Sequence, residues 1–346
     1  MYPASPFGRL SAALTLAFAS ACLVPTASAE VRTMIVTSDP QYPWTSKTDA
    51  KLPESDAQTQ AESERLIEEQ YRSIAAYRAA RPDQQIPVFI NGDLTAYGHG
   101  WQRAVMERMY RILGDNVHLG LGNHDYANNI READGSGCYN NGCARDSIND
   151  LVRHVRNKRS TVAFDFADMS QGLFKKSYYG SLGYAVETPG LERVLNVQLN
   201  YHPTYTVSFD TTEKLRPAHY EIVSSLPWLD GLLDAHLSVP RYGTPADRAY
   251  DFAILHMHDP LEDAWELEGL PDREHIAAIF GGHIHALMGR YPNENGIPIF
   301  LSGSASQRTY LVVEHDTDAA VLRVYGVYRN DPERKQLLSV VPVPTS

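Results

Sequence analysis

The chain has 346 residues, 43% of them apolar and 21% charged, with a formal net charge of −11. That is enough for one large α/β unit or two small ones around a substantial core. The acid excess makes a poor surface for holding polyanionic nucleic acid by counterion release, and no nucleic-acid partner is expected.

The first 29 residues read as an export signal. Arg9 precedes an apolar stretch, Leu10 to Val24, and Ala27-Ser28-Ala29 forms a small-x-small cleavage site. The apolar stretch is too short and alanine-rich for a membrane span. Arg9 is the only charged residue in this segment, so its removal takes the net charge to −12. The expected mature chain, 30–346, is periplasmic or secreted and has no integral membrane segment. Cys22, after Ala19-Ser20-Ala21, offers the alternative of a lipid anchor. The other two cysteines, Cys138 and Cys143 in "CYNNGC", form an even pair in an exported chain and read as a disulfide.

From residue 31 the pattern alternates strand and helix. Thr33–Thr37 is a short buried strand, and residues 57–80 form a helix ended by Pro82. Ile86–Ile90, a helix over Trp101–Leu113 and a strand over Val117–Leu121 follow. Residues 126–212 change character, with the cysteine loop, the tyrosine-rich "KKSYYGSLGYAVE" and alternating runs typical of antiparallel strands. This stretch is expected to be a cap inserted into one layered domain. A helix is expected over 214–236, interrupted at Pro217 or Pro227. Asp251–Leu255, Ala277–Phe280 and Ile297–Leu301 return to apolar strands, and the tail alternates in "RTYLVVEH" and "AVLRVYGVY".

Five strand ends carry chemistry: Asp39-Pro40-Gln41, Gly92-Asp93, Gly122-Asn123-His124-Asp125, His256-Met257-His258 and Gly282-His283-Ile284-His285. Ligands bind where strand carboxyl ends converge in an open α/β sheet. Acids, amide oxygens and imidazoles gathered there suit Mn, Fe or Zn, and they are too many for one tetrahedral ion. Two ions sharing a carboxylate fit the count, a geometry that clamps both oxygens of a phosphoryl displacement. Taken singly, Asp39 or Asp93 would be a cap or turn former, Asn123 a turn residue and His124 a hydrogen-bonding histidine. The ordered set of five is what points to a metal centre.

The set resembles the calcineurin-like metallophosphoesterase superfamily, whose pattern is Asp-x-His, Gly-Asp, Gly-Asn-His-(Asp/Glu), a His after a strand, then Gly-His-x-His. The resemblance implies a four-layer sandwich of two mixed β-sheets flanked by helices. It assigns Asp39 and His285, with Gln41 in the histidine position, to one metal, and Asn123, His256 and His283 to the other. Asp93 bridges the two. His124 stands beside the metals, to protonate the leaving group or hold the phosphate, and His258 is left as a supporting residue. The implied reaction is attack on a small phosphoester by a metal-bound hydroxide.

Two features depart from the pattern. Asp39 and Asp93 are 54 residues apart, about twice the family's interval, with the hydrophilic stretch 45–60 absorbing the excess. Gln41 is a weaker donor than imidazole. Phosphomonoesterase, nucleotide phosphodiesterase and phospholipase C-like readings all use such a core. A non-catalytic metal- or phosphate-binding protein is the reading from another class, and the Asn123-His124 pair speaks against it.

Overall fold

The structure is a computed structural model that describes residue 1 and residues 30–131, 138–170, 175–237, 250–271, 273–293 and 296–344. The expected export signal and Cys22 lie outside the described residues.

Two mixed sheets face each other. The first runs in the order Gln336–Pro342, Val321–Val327, Tyr310–Asp316, Val31–Thr37, Val88–Ile90 and Val117–Leu119. Its last three strands are parallel, and the other pairings are antiparallel. The second runs Met288–Tyr291, Ile299–Ser302, Ile276–Gly281, Phe252–His256, Val194–Gln198, Tyr184–Glu187 and Thr161–Phe164. Four of its strands, from Val194–Gln198 to Ile299–Ser302, are parallel neighbours. Parallel strands covered on both faces read as continuous apolar runs, which is why "TMIV", "VFI", "FAIL" and "AAIF" stood out.

Helices cover the outer faces. Asp56–Ala79 starts at a Ser55 capping box closed by Gln58. It buries Leu66, Ile67, Tyr71, Ile74 and Tyr77, and most of these join Met34, Val36 and Phe89 in the larger core. Gly100–Leu113 adds Met106 and Met109 to the same core. On the far side, Leu229, Leu232 and Leu233 of the helix Leu226–His236 pack with Leu195, Val197 and Leu255 in a second core. The result is a four-layer α/β arrangement: helix, sheet, sheet, helix. Among the described residues, no helix is long and apolar enough to cross a membrane.

The stretch 126–212 divides between two sheets. Thr161–Phe164, Tyr184–Glu187 and Val194–Gln198 belong to the seven-stranded sheet, whereas Ala167–Asp168, Lys176–Gly180 and Val207–Glu213 join a separate four-stranded sheet. That sheet also takes Arg216–Ile222, which corrects the expectation of a helix over 214–236. Ala218, Tyr220 and Ile222 alternate with exposed or half-buried partners, the period-two signature of a strand. Pro217 is tolerated because the pairing to Lys176–Gly180 begins only at Ala218. The helix is confined to Leu226–His236, with Pro227 in its first turn, where the missing N–H costs nothing. A helix over Gly142–Arg156, not anticipated from the sequence, buries Ala144, Ile148, Leu151 and Val155. Cys143, in its first turn, is disulfide-bonded to Cys138 just before it, with Cα atoms 5.6 Å apart.

Candidate metal centre

Apart from His256, the polar residues of the five blocks lie beyond the carboxyl ends of the parallel strands in both sheets. Val31–Thr37 delivers Asp39, Val88–Ile90 delivers Asp93, Val117–Leu119 leads to Asn123 and His124, and Ile276–Gly281 delivers His283. The loops are zipped together through their backbones. Asp39 N donates to Gly92 O (3.1 Å), Gln41 N to Asp93 O (2.8 Å), and Ala305 N to Asp39 O (3.3 Å). Glycine is required where carboxylates pass close by. A Cβ on Gly122 would lie 2.1 Å from Asp93 Oδ1, and one on Gly282 would lie 2.3 Å from Asp39 Oδ2. Asp39, Gln41, Asp93 and His283 all have positive φ, a conformation that costs side-chain-bearing residues energy and clusters at functional sites.

Two groups of side chains converge closely enough to hold a cation each: Asp39, Asp93 and His285, and Asp93, His258 and His283, with donor atoms within 4.8 Å in each group. Asp93 belongs to both. Its Oδ2 lies 3.2 Å from His258 Nε2, and its Oδ1 accepts from His124 N at 2.9 Å. Asn123 Oδ1 is 3.1 Å from the same His258 nitrogen, and His283 Nδ1 is 3.2 Å from it. His285 Nε2 is 3.3 Å from Asp39 Oδ1.

His256 lies elsewhere, which corrects its assignment to this group. Its ring stacks on Phe89 in the facing sheet, centroids 4.0 Å apart and planes within 10°, and Nε2 meets Asn196 Oδ1 at 3.2 Å. Burial drives its pKa down to about 3, so it is a neutral core residue. His256 is the last residue of its strand, and Phe252 and Ile254 share its inter-sheet core. A strand advances about 3.3 Å per residue, so the position two residues on, His258, falls beyond the sheet among the carboxylates. The sequence held a signal for this. Asp39, Asp93 and His283 each lie three residues past the last apolar residue of their strands (Val36, Ile90, Phe280), and three past Leu255 is His258.

The electrostatics of the centre call for positive charge. Burial opposes an imidazolium at His258, yet Asp93 and Asp39 outweigh it and push the pKa up to about 9. His285 is likewise carried against burial to about 10 by Asp39 and Asp49. Burial would raise the Asp93 carboxyl, but His258 and His124 hold it down at about 2. Asp39 Oδ1 is buried and, although close to His285, has no hydrogen bond; neither do the two amide atoms of the buried Gln41. Buried polar atoms without partners are costly. Carboxylate, amide and imidazole donors converging in this way fit divalent cations.

Three residues that the sequence reading did not single out support the ligand candidates. Asp49, from the short helix Ser46–Asp49, accepts from His285 Nδ1 at 2.6 Å, Trp44 Nε1 at 2.7 Å, Ser306 Oγ at 2.9 Å and Gln307 Nε2 at 3.1 Å. The Asp49–His285 pair is the carboxylate–histidine arrangement that fixes tautomer and orientation at metal sites. Asp259 Oδ2 stands 3.5 Å from His283 Nε2, and the Asn91 carbonyl is 3.0 Å from His258 Nδ1. Asp125, the chain neighbour of His124, is engaged elsewhere. It accepts from Leu94 N, Thr95 N, Thr95 Oγ1 and Gly122 N and so ties two strand-end loops together. The His124 ring is instead set by the Ala96 carbonyl, 2.9 Å from Nδ1, and by a T-shaped contact with Trp44, centroids 5.4 Å apart. Nε2 is left as the nitrogen open to a reactant.

The family model for calcineurin-like phosphoesterases matches residues 33–287, and the chain belongs to that family. No curated protein matches the chain. Among solved structures, the 5'-nucleotidase of Candida albicans is similar over 86% of this chain and 51% of its own, with 14% identity and a TM-score of 0.50. A sulfate thiohydrolase of Thermus thermophilus aligns over 88% of this chain and 58% of its own, at 12% identity and a TM-score of 0.48. A purple acid phosphatase of yellow lupin aligns over 92% and 54%, at 11% identity and a TM-score of 0.47. The chain thus spans little more than half the length of these proteins, and likeness at such identities is one of fold.

Proposed function

We propose that the protein hydrolyses small phosphoric esters with a pair of divalent metal ions. One ion would be held by Asp39, Gln41, Asp93 and His285, the other by Asp93, Asn123, His258 and His283. The observation that carries this reading is the sharing of Asp93 between the two cation-competent groups, within a chain of the calcineurin-like phosphoesterase family. When bound, paired cations neutralise charge on phosphoryl oxygens and make water a usable nucleophile near neutral pH.

The protein's own side chains supply the rest. Asp93 places one carboxylate between the two cation positions. Asp49 and Asp259 fix the rings of His285 and His283. With Nδ1 committed to the Ala96 carbonyl, His124 presents Nε2 to the leaving oxygen, where a proton is needed. The test is hydrolysis of a panel of phosphomonoesters and phosphodiesters after chelation and return of Mn²⁺, Zn²⁺ or Fe. No turnover of any ester under any metal would overturn the reading.

Export is part of the same proposal. It is supported by the leader-like segment 1–29 and by the Cys138–Cys143 disulfide, which suits an oxidising compartment. A mature amino terminus at Glu30 supports cleavage and release, and a lipid-modified Cys22 would replace them with an anchored form.

A further inference from the structure

Beside the centre lies a second concavity of about 540 Å³, lined by Trp44, Leu52, Tyr97, His99 and Trp101 among others. Trp44 is common to both. Its ring makes T-shaped contacts with His124 and His285, centroids 5.4 and 5.9 Å away, while it also walls the cleft. Trp101 and Tyr97 are large rings left substantially open to solvent, 47% and 40% exposed. They are nonetheless fixed in place. Trp101 meets Tyr42 edge-on at 5.7 Å and lies nearly parallel to His99, planes within 16°. Tyr97 N and His99 N both donate to the buried Gln102 side chain.

Apolar rings held rigid and open, one wall away from a hydrolytic centre, are the mark of a binding subsite. The lining carries little net charge to attract a cation. Glu54 is taken up by Thr45, Thr59 and Lys47, and Lys51 and Asp56 offset each other. Much of the cleft comes from the unusually long interval between Asp39 and Asp93, the stretch that also supplies Asp49.

Resting on the reading of the centre as a phosphoesterase, we propose that this cleft is the leaving-group subsite and that it takes a flat aromatic group. The phosphoryl group would lie at Asp93 and His124, and the ring would pass Trp44 to stack on the open face of Trp101. Stacking of this kind is sequence-tolerant and is worth about tenfold in binding per ring. A nucleobase and a simple aryl group share this chemistry.

The test compares the metal-loaded protein with Trp101→Ala, Trp101→Phe and Tyr97→Ala on four esters: adenosine monophosphate, phenyl phosphate, phosphocholine and glycerol phosphate. Trp101→Ala should raise KM by about tenfold for the aromatic esters alone, and Trp101→Phe should restore most of it. Loss on the nucleotide and phenyl esters together identifies a general aryl subsite; loss on the nucleotide alone identifies a base subsite. Equal effects on all four esters, or a selective loss on phosphocholine, would overturn the proposal. Calorimetric titration of adenosine and of phenylphosphonate into the metal-free protein separates the two ideas. Binding that Trp101→Ala abolishes supports the subsite even if no ester is turned over. Active protein whose binding of both probes is untouched by Trp101→Ala refutes the subsite and leaves the phosphoesterase reading standing.

Discussion

The two halves of the centre are built in different ways. On the Asn123 side, the side chains converge on one another: a single nitrogen, His258 Nε2, lies within 3.2 Å of Asp93, Asn123 and His283. On the Asp39 side they do not. Gln41 is buried with both amide atoms unbonded, and Asp39 Oδ1 has an ionic neighbour but no hydrogen bond. Order there comes from outside, through backbone bonds to Gly92 and Asp93 and through Asp49 on His285. One half is therefore knit mainly through its own side chains, whereas the other depends on Asp49, supplied by the long stretch between Asp39 and Asp93. Only Asp93 is common to both.

Removing that common element should have the largest effect. Asp93→Asn keeps the shape but takes one charge from both cation positions. Bound metal should fall from two ions per chain to fewer than one, and hydrolysis should drop by on the order of 10³-fold or more. Two tightly held ions in a variant that still turns over would show that the halves are independent.

His124 lies beside both halves and belongs to neither. His124→Ala should slow esters with alkoxide leaving groups by about 10²–10⁴-fold, the range of general acid catalysis. A nitrophenyl ester, whose leaving group departs as a stable anion, should lose far less. Metal content should not change. Equal losses on both esters would instead make His124 a phosphate-holding group.

Asp49 probes the externally braced half alone. Asp49→Asn can still accept from His285 but no longer bears the charge that holds the imidazole basic. Affinity for one of the two ions should weaken by about 10–100-fold, with the other unaffected. Stepwise metal titration distinguishes the two, and parallel weakening of both ions would contradict the division.

Gln41→His asks whether the weaker donor sets the affinity of the same half. Imidazole is the better ligand, so the ion nearest Asp39 should bind several-fold more tightly. Activity against added metal after chelation gives the answer. Identical metal dependence in the two proteins would remove Gln41 from the ligand set.

Much of this was legible in the sequence because strand ends leave a local trace. An apolar run followed by Gly-Asp, Gly-Asn-His or Gly-His-x-His places its polar residues at one edge of the sheet, and the structure brings Asp39, Asp93, Asn123, His124, His283 and His285 together there. Asp49 left no such trace. It sits in a polar stretch with nothing to mark it, and its partners Ser306 and Gln307 are more than 250 residues away. Arg216–Ile222 differs from the expected helix for another reason: its period-two alternation is only seven residues long and runs into the apolar helix that follows. The cysteine pair was readable from its even count and close spacing.

The smallest expected effect on the centre belongs to His256, and it tests the choice between two histidines two residues apart. His256 is wholly buried, neutral and stacked on Phe89, so its ring contributes packing and one bond to Asn196. His256→Ala should leave both ions bound and turnover nearly unchanged. It should nonetheless cost about 2–4 kcal/mol of stability, since it opens a cavity between the sheets. His258→Ala should do the reverse. It removes the nitrogen on which Asp93, Asn123 and His283 converge, and one ion should be lost with most of the activity. Denaturant melts and metal analysis on the two variants separate these outcomes. Metal loss from His256→Ala in a protein that is still folded would return that residue to the ligand set.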